Sequence, residues 1–119
     1  MSNFHVEFYK ADDGSEPAKD FILSQELKMK AKLFALVDLL EERGTELRDP
    51  YSSPLGDGIF ELRCKQGSNI TRVLYFFYYE GKIILTNGFV KKTQKTPPSE
   101  ILKAKRCRKK FQERRKDNE

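Results

Sequence analysis

The sequence is poor in the side chains that build metal centres and disulfide frameworks. It has one histidine, His5, and two cysteines, Cys64 and Cys107, in 119 residues. Two cysteines make no disulfide framework, so a reducing cytoplasm is the simpler setting. With a single histidine they supply too few soft ligands for a zinc site. No stretch approaches the ~18 consecutive apolar residues of a membrane-spanning helix. The N-terminus lacks the basic-then-apolar plan of a secretory signal peptide. Also missing are a phosphate-cradling glycine loop of the Walker type, a helix with paired metal-binding histidines and a nucleophile elbow. No metal, cofactor or membrane role is expected. His5 has no evident acidic partner and reads as a strand residue. Cys64 shares a face with Leu62 and reads as a small buried residue.

What is present fits one domain able to bury a core. Hydrophobic residues make up 38% and charged residues 34%, and nine Phe with five Tyr argue against disorder. Charge is unevenly spread. Residues 1–60 carry 7 Lys/Arg against 12 Asp/Glu, residues 61–100 carry 7 against 3, and residues 101–119 carry 9 against 3. An acidic half thus precedes a basic one, which points to a polyanionic partner such as nucleic acid. The plainer alternative is a solvated helix that happens to be basic.

Residues 4–9 alternate as a strand with Phe4, Val6 and Phe8 on one face. Asp12, Asp13 and Gly14 mark a turn, after which Ser15 as cap and Pro17 in the first turn open a helix over 16–24. A longer helix over 25–43 carries a stripe of Leu27, Ala31, Phe34, Val37 and Leu40, widened by Leu33, Leu36 and Leu39, with Asp38 outward and Gly44 as the stop. Residues 45–58 read as a polar connection. From residue 59 the period becomes two, giving strands over 59–65, 69–79 and 82–90 joined by hairpin-like turns. Thr96 and Pro97-Pro98 open a basic helix over about 98–115, whose Ile101, Ala104, Cys107 and Phe111 form one thin docking face. The expected fold is a single α+β domain over 1–119. It has an antiparallel sheet of mainly hairpin-connected strands, two N-terminal helices packed on one face and a basic C-terminal helix.

Strand register then gathers cations. If Lys65 pairs with Ile70, Arg63 lies opposite Arg72, and like charges so placed cost stability. If Glu80-Gly81 is a two-residue turn with Tyr79 opposite Lys82, Arg72 faces Phe89 and has Lys91 as a diagonal neighbour. Arg63, Arg72 and Lys91 then share one face across three strands, and Lys92 points away unless the strand has ended. Glu61 on that face could neutralise part of this charge. The functional alternative is a phosphate site, since Arg presents a planar fork and Lys a point charge. Tyr75 falls on the opposite face and reads as packing.

The segments Glu61-Leu62-Arg63, Arg72 to Phe77, Asn87 to Pro97, and Glu100-Ile101 with Ala104 resemble the HigB-like, phage-derived branch of the RelE/ParE toxin superfamily. Phe8-Tyr9-Lys10, Asp13-Gly14, Pro17, Phe21 and Leu39-Leu40-Glu41 with Gly44 agree, so the resemblance covers nearly the whole chain. It implies a RelE-like fold and a toxin of a type II toxin–antitoxin system. Such a toxin cuts mRNA, usually on the translating ribosome, and is silenced by a cognate antitoxin in a higher-order complex. In RelE-like members the RNA's own 2′-hydroxyl attacks the phosphate, without metal, leaving a cyclic phosphate. Carried to this chain, Arg72 matches the strand arginine at the scissile phosphate, and Arg63 with Lys91 or Lys92 matches basic positions around it. Arg63 and Arg72 would stabilise the phosphate, and Lys91 or Lys92 would move the proton. Lys95 and the helix residues Lys105, Arg106, Arg108 and Lys109 would bind RNA backbone. The chain departs from some HigB proteins in having no histidine near this site. Three other readings stand beside this one: a ParE-like gyrase inhibitor, a non-catalytic nucleic-acid-binding module, and an inert phage relic that still folds.

Overall fold

Alternation of side chains builds a sheet whose two faces are both apolar, so both must be covered. In the computed structural model, which describes residues 3–117, they are. Nine elements follow in order: β1 His5–Phe8, α1 Pro17–Leu23, α2 Leu27–Arg43, a 3-10 turn Gly44–Glu46, β2 Ser52–Gly56, β3 Ile59–Gln66, β4 Asn69–Tyr78, β5 Lys82–Val90 and α3 Pro98–Asp117. The sheet order is β1-β5-β4-β3-β2, confirming the α+β class. Helices α1 and α2 pack over one face on Leu62, Cys64, Val73, Tyr75, Ile83 and Leu85. Helix α3 covers the other, where Ala104 and Phe111 meet Ile59, Leu74, Phe76 and Ile84. The helices therefore sandwich the sheet, α1 and α2 on one face and α3 on the other. The docking face expected for α3 is the one used, and Phe111 meets the rings of Phe76 and Tyr78 edge-on at 5.8 and 5.0 Å.

Several local expectations are adjusted. Ser15 does not cap α1; its hydroxyl and amide turn back to Asp13, while Asp20 accepts the Glu16 amide. The buried stripe of α2 is Met29, Leu33, Leu36, Val37 and Leu40, rotated from the expected one, and Leu27 is 78% exposed. Asp38 does face solvent. Gly44 ends α2 with a φ of 54°, and a Cβ there would lie 2.1 Å from the Phe4 ring, so both backbone and space demand glycine.

The connection 45–58 contains an unexpected strand, β2, paired antiparallel to β3. Pro54 and a bulge beside Gly56 hide it from sequence, and an edge strand tolerates both. Strand β1 pairs in parallel with β5, His5 opposite Lys82 through Phe8 opposite Leu85. The outer amide of Val6 is taken by the Glu41 carboxylate of α2 at 2.8 Å, which blunts that sheet edge.

Register decides the site. Arg63 does stand opposite Arg72. The β4–β5 turn is one residue longer than expected, with Tyr78 rather than Tyr79 opposite Lys82. A bulge at Thr86 then absorbs the extra residue, so Arg72 still faces Phe89. The Thr86 hydroxyl fills the irregularity, lying 3.2 Å from the Leu74 carbonyl and 2.6 Å from the Asn87 side-chain oxygen.

Candidate functional site

Two arginines face each other across β3 and β4 on the α3 side of the sheet, and one carboxylate resolves the conflict. Glu61, two residues before Arg63 on the same face, accepts Nε of Arg63 at 2.9 Å and Nε of Arg72 at 3.1 Å on the same oxygen, Oε2. Its other oxygen, Oε1, accepts the hydroxyl of Thr96 from the segment between β5 and α3. Glu61 and Arg72 are 3% and 6% exposed. Arg72 also donates Nη1 to the Thr71 carbonyl at 3.3 Å. Arg63 lies further out and gives Nη1 to Asp49 at 2.9 Å, with side-chain exposures of 36% and 74% for the pair. Burial pulls the Arg72 guanidinium below the ordinary arginine value; Glu61 opposes this and the nearby Arg63 adds to it. An arginine so placed stays charged at neutral pH. Two cations and two carboxylates therefore form a charge-balanced group, with charge-assisted bonds fixing each fork.

Lys91 continues the β5 register past Val90, its amide donating to the Ile70 carbonyl at 2.8 Å. Lys91 is half-buried, whereas Lys92 and Lys95 are exposed. Among the described residues none of the three forms an ion pair, so they leave the positive charge that the arginines do not. The segment bearing them is fastened at Thr96 to Glu61.

The basic helix divides into two sets. Lys105 and Arg108 close on Asp57 of the β2–β3 turn at 3.4 and 3.1 Å. Lys110 and Arg114 close on Asp12 at 2.9 and 2.5 Å. Arg115 reaches Glu7, and Arg114 also stacks over the Tyr9 ring, 5.2 Å to its centre. Hydrogen bonds from Lys110 and then Arg114 hold Asp12 below the usual carboxylate value, and bonds from Lys105 and then Arg108 do the same for Asp57. Much of the charge asymmetry between the halves is thus consumed within the molecule. Arg106 and Lys109 are exposed and form no ion pair among the described residues. Of the five expected RNA-binding cations, Lys95, Arg106 and Lys109 remain open, while Lys105 and Arg108 clasp the helix to the sheet.

No cluster of three or more His, Cys, Asp or Glu side chains among the described residues is placed to hold a metal. Burial pushes the Cys64 and Cys107 thiols up, away from nucleophilic character. Tyr75 is buried with its hydroxyl 2.5 Å from that of Ser52, on the face opposite the arginines.

Residues 20–109 match the family model described as Phage derived protein Gp49-like (DUF891). The chain belongs to this Gp49-like family. The family stands in the RelE/HigB-type toxin context. No curated protein matches the chain. Within the Gp49-like fold, several residues that carry the resemblance have structural work. The Asn87 amide donates to the carbonyl and carboxylate of Glu100 at 3.2 and 3.1 Å, anchoring the first turn of α3. Gly88 lies against Phe21, where a Cβ would be 2.3 Å from the ring, and Ala104 is fully buried. Nothing in the sequence marks Asp49, Asp57 and Asp12 as partners of these cations. Their cations lie 14 to 102 positions away, and no local pattern marks such pairs.

Proposed function

We propose that this Gp49-like chain is the toxin of a type II toxin–antitoxin pair and a metal-independent endoribonuclease acting on mRNA at the translating ribosome. The observation that carries this reading is the pair Arg63 and Arg72, directly opposite on adjacent strands and oriented by one carboxylate, next to a segment whose lysines form no ion pair among the described residues. In the reaction the 2′-oxygen of the RNA forms a bond to the adjacent phosphorus as the bond from phosphorus to the 5′-oxygen breaks. The products are a 2′,3′-cyclic phosphate and a 5′-hydroxyl, the latter receiving a proton. Charge grows on the phosphate oxygens in the transition state. Fixed guanidiniums facing that charge stabilise it without reorganising, and one lost donor of this kind costs about 100- to 1,000-fold in rate. Arg63, the more accessible arginine, meets the phosphate first, Arg72 supports it from below, and Lys91 or Lys92 moves the proton. Lys95, Arg106 and Lys109 hold RNA backbone. The partner in the resting state is a cognate antitoxin.

A second reading, a nucleic-acid-binding module without catalysis, draws on the burial of Arg72 and the occupation of its Nε by Glu61. Induced expression with primer extension on several cellular mRNAs separates the two. Wild type should arrest growth and produce new 5′ ends within reading frames. Arg63→Ala, Arg72→Met and the exposed double variant Lys91→Ala/Lys92→Ala should abolish the new ends while remaining folded. New ends undiminished in all three variants would refute the site, and binding without new ends in wild type would favour the second reading. Arrest without new ends would move the weight to a gyrase-type target.

A further inference from the structure

Arg63 is held by two carboxylates at the same distance, 2.9 Å, that differ in burial and in their other partners. Glu61 is buried, shares one oxygen between two arginines and fastens the lysine segment through Thr96 with the other. Asp49 is three-quarters exposed, contacts Arg63 through Nη1 alone and lies just before β2. A buried carboxylate with three donors has no cheap way to leave, whereas an exposed pair is worth little against water or a competing anion. Each carboxylate also takes a different edge of the guanidinium. Glu61 occupies Nε and sets the plane of the fork; Asp49 occupies Nη1, one of the two terminal nitrogens, so a phosphate gripped end-on by both must displace it.

We infer that the two carboxylates act in opposite senses. Glu61 is a positioning residue that aims Arg63, Arg72 and the Lys91–Lys95 segment at one point, and Asp49 is a displaceable occupant of the phosphate position on Arg63. The RNA phosphate exchanges with Asp49 and leaves Glu61 in place. This rests on the phosphate-site reading above and deepens it. Asp49 reaches Arg63 from the chain preceding β2, so the exchange requires no movement of β3 or β4. A purely structural ion-pair cluster predicts something else: both carboxylates would then matter in the same direction, through stability.

The test uses the full chain with mRNA on programmed ribosomes for single-turnover cleavage, and a 2′-O-methyl RNA oligonucleotide, which cannot be cut, for binding. Asp49→Asn should lower the half-saturating concentration and tighten oligonucleotide binding about two- to five-fold, the range of a lost exposed pair. Glu61→Gln should lower the maximal rate about 100-fold, the cost of a misplacement near 1 Å, with a much smaller change in half-saturation. Glu61→Asp should recover part of that loss. If Glu61→Gln does not fold, Glu61→Asp and Thr96→Val carry this arm. Thr96→Val frees only the lysine segment and should reduce the rate less than loss of the whole hub. Weaker or unchanged binding by Asp49→Asn overturns the exchange. Wild-type rates in Glu61→Asp and Thr96→Val alongside an inactive Arg72→Met overturn the positioning role and leave the nuclease reading standing. If wild type cuts no RNA, the nuclease reading fails by itself, and the oligonucleotide still decides the exchange: tightening by Asp49→Asn upholds it, and weaker or unchanged binding overturns it.

Discussion

Replacing Glu61 by Gln should destabilise the fold more than any other single polar change at this site. Gln keeps the shape and one acceptor but removes the charge that compensates Arg72, which is only 6% exposed. Breaking a buried pair from one side costs about 3–5 kcal/mol because the remaining charge is left uncompensated. A domain of this length has a total stability of about 6–18 kcal/mol at typical per-residue values. The single change therefore removes a large share of it. Arg72→Met should cost less, because Glu61 still has Arg63 and Thr96 to satisfy it. The double variant Glu61→Gln/Arg72→Met should then be more stable than the two single losses sum to, with a coupling of about 1–3 kcal/mol. Urea unfolding followed by far-ultraviolet circular dichroism reads this directly. With a slope of about 1–3 kcal/mol per molar, the Glu61→Gln midpoint should fall by about 1 M or more. Single-variant losses that add within about 0.5 kcal/mol would refute the claim that Glu61 compensates Arg72.

The remaining predictions concern the clasped helix. Asp12 and Asp57 titrate below their ordinary value in the folded chain, so their pairs stabilise it above the unfolded carboxylate value near about pH 4 and lose that contribution as pH falls through the lowered folded value. Melting temperature should hold through neutral pH and drop in acid, and Asp12→Asn/Asp57→Asn should flatten that acid limb; a curve parallel to wild type would count against the clasp. Arg106→Gln and Lys109→Gln should each reduce the salt slope of RNA binding by about 1 with an unchanged melting temperature. Lys105→Gln and Arg108→Gln should instead lower the melting temperature, and identical behaviour of all four variants would overturn this division. Point changes are the proper probe here, since truncating the helix from residue 108 would also remove the buried Phe111.

Much of the site was legible because strand pairing next to a tight turn is a local property. The β3–β4 turn fixes Arg63 opposite Arg72 and Tyr75 on the far side, and the structure keeps that arrangement. The β4–β5 register shows where local reading stops. The turn is longer than Glu80-Gly81 suggests, and the compensating bulge at Thr86 has no sequence period, since a threonine in a strand looks the same whether paired or extruded. Arg72 faces Phe89 in either register because the two departures cancel. Strand β2 was hidden by Pro54 and Gly56, which punctuate a loop and an edge strand alike.

The sequence by itself determined the order and type of the main elements, the thin apolar face of α3 and the gathering of basic residues in the second half. These follow from periodicity and composition, which act over a few residues at a time. Only the tertiary structure decided the parallel pairing of β1 with β5, the side of the sheet that α3 covers, and the partner of each charge. Apolar residues at both parities of β4 allow a helix on either face, so alternation alone could not choose. The same composition also allows a cation to meet an external phosphate or an aspartate far along the chain. Asp12 meets Lys110 and Asp57 meets Arg108 because the packing of α3 on the sheet brings them within reach, whereas Arg106 and Lys109 are left facing solvent by the turn of the same helix. Charge is counted along the chain, but its use is set by distance in space.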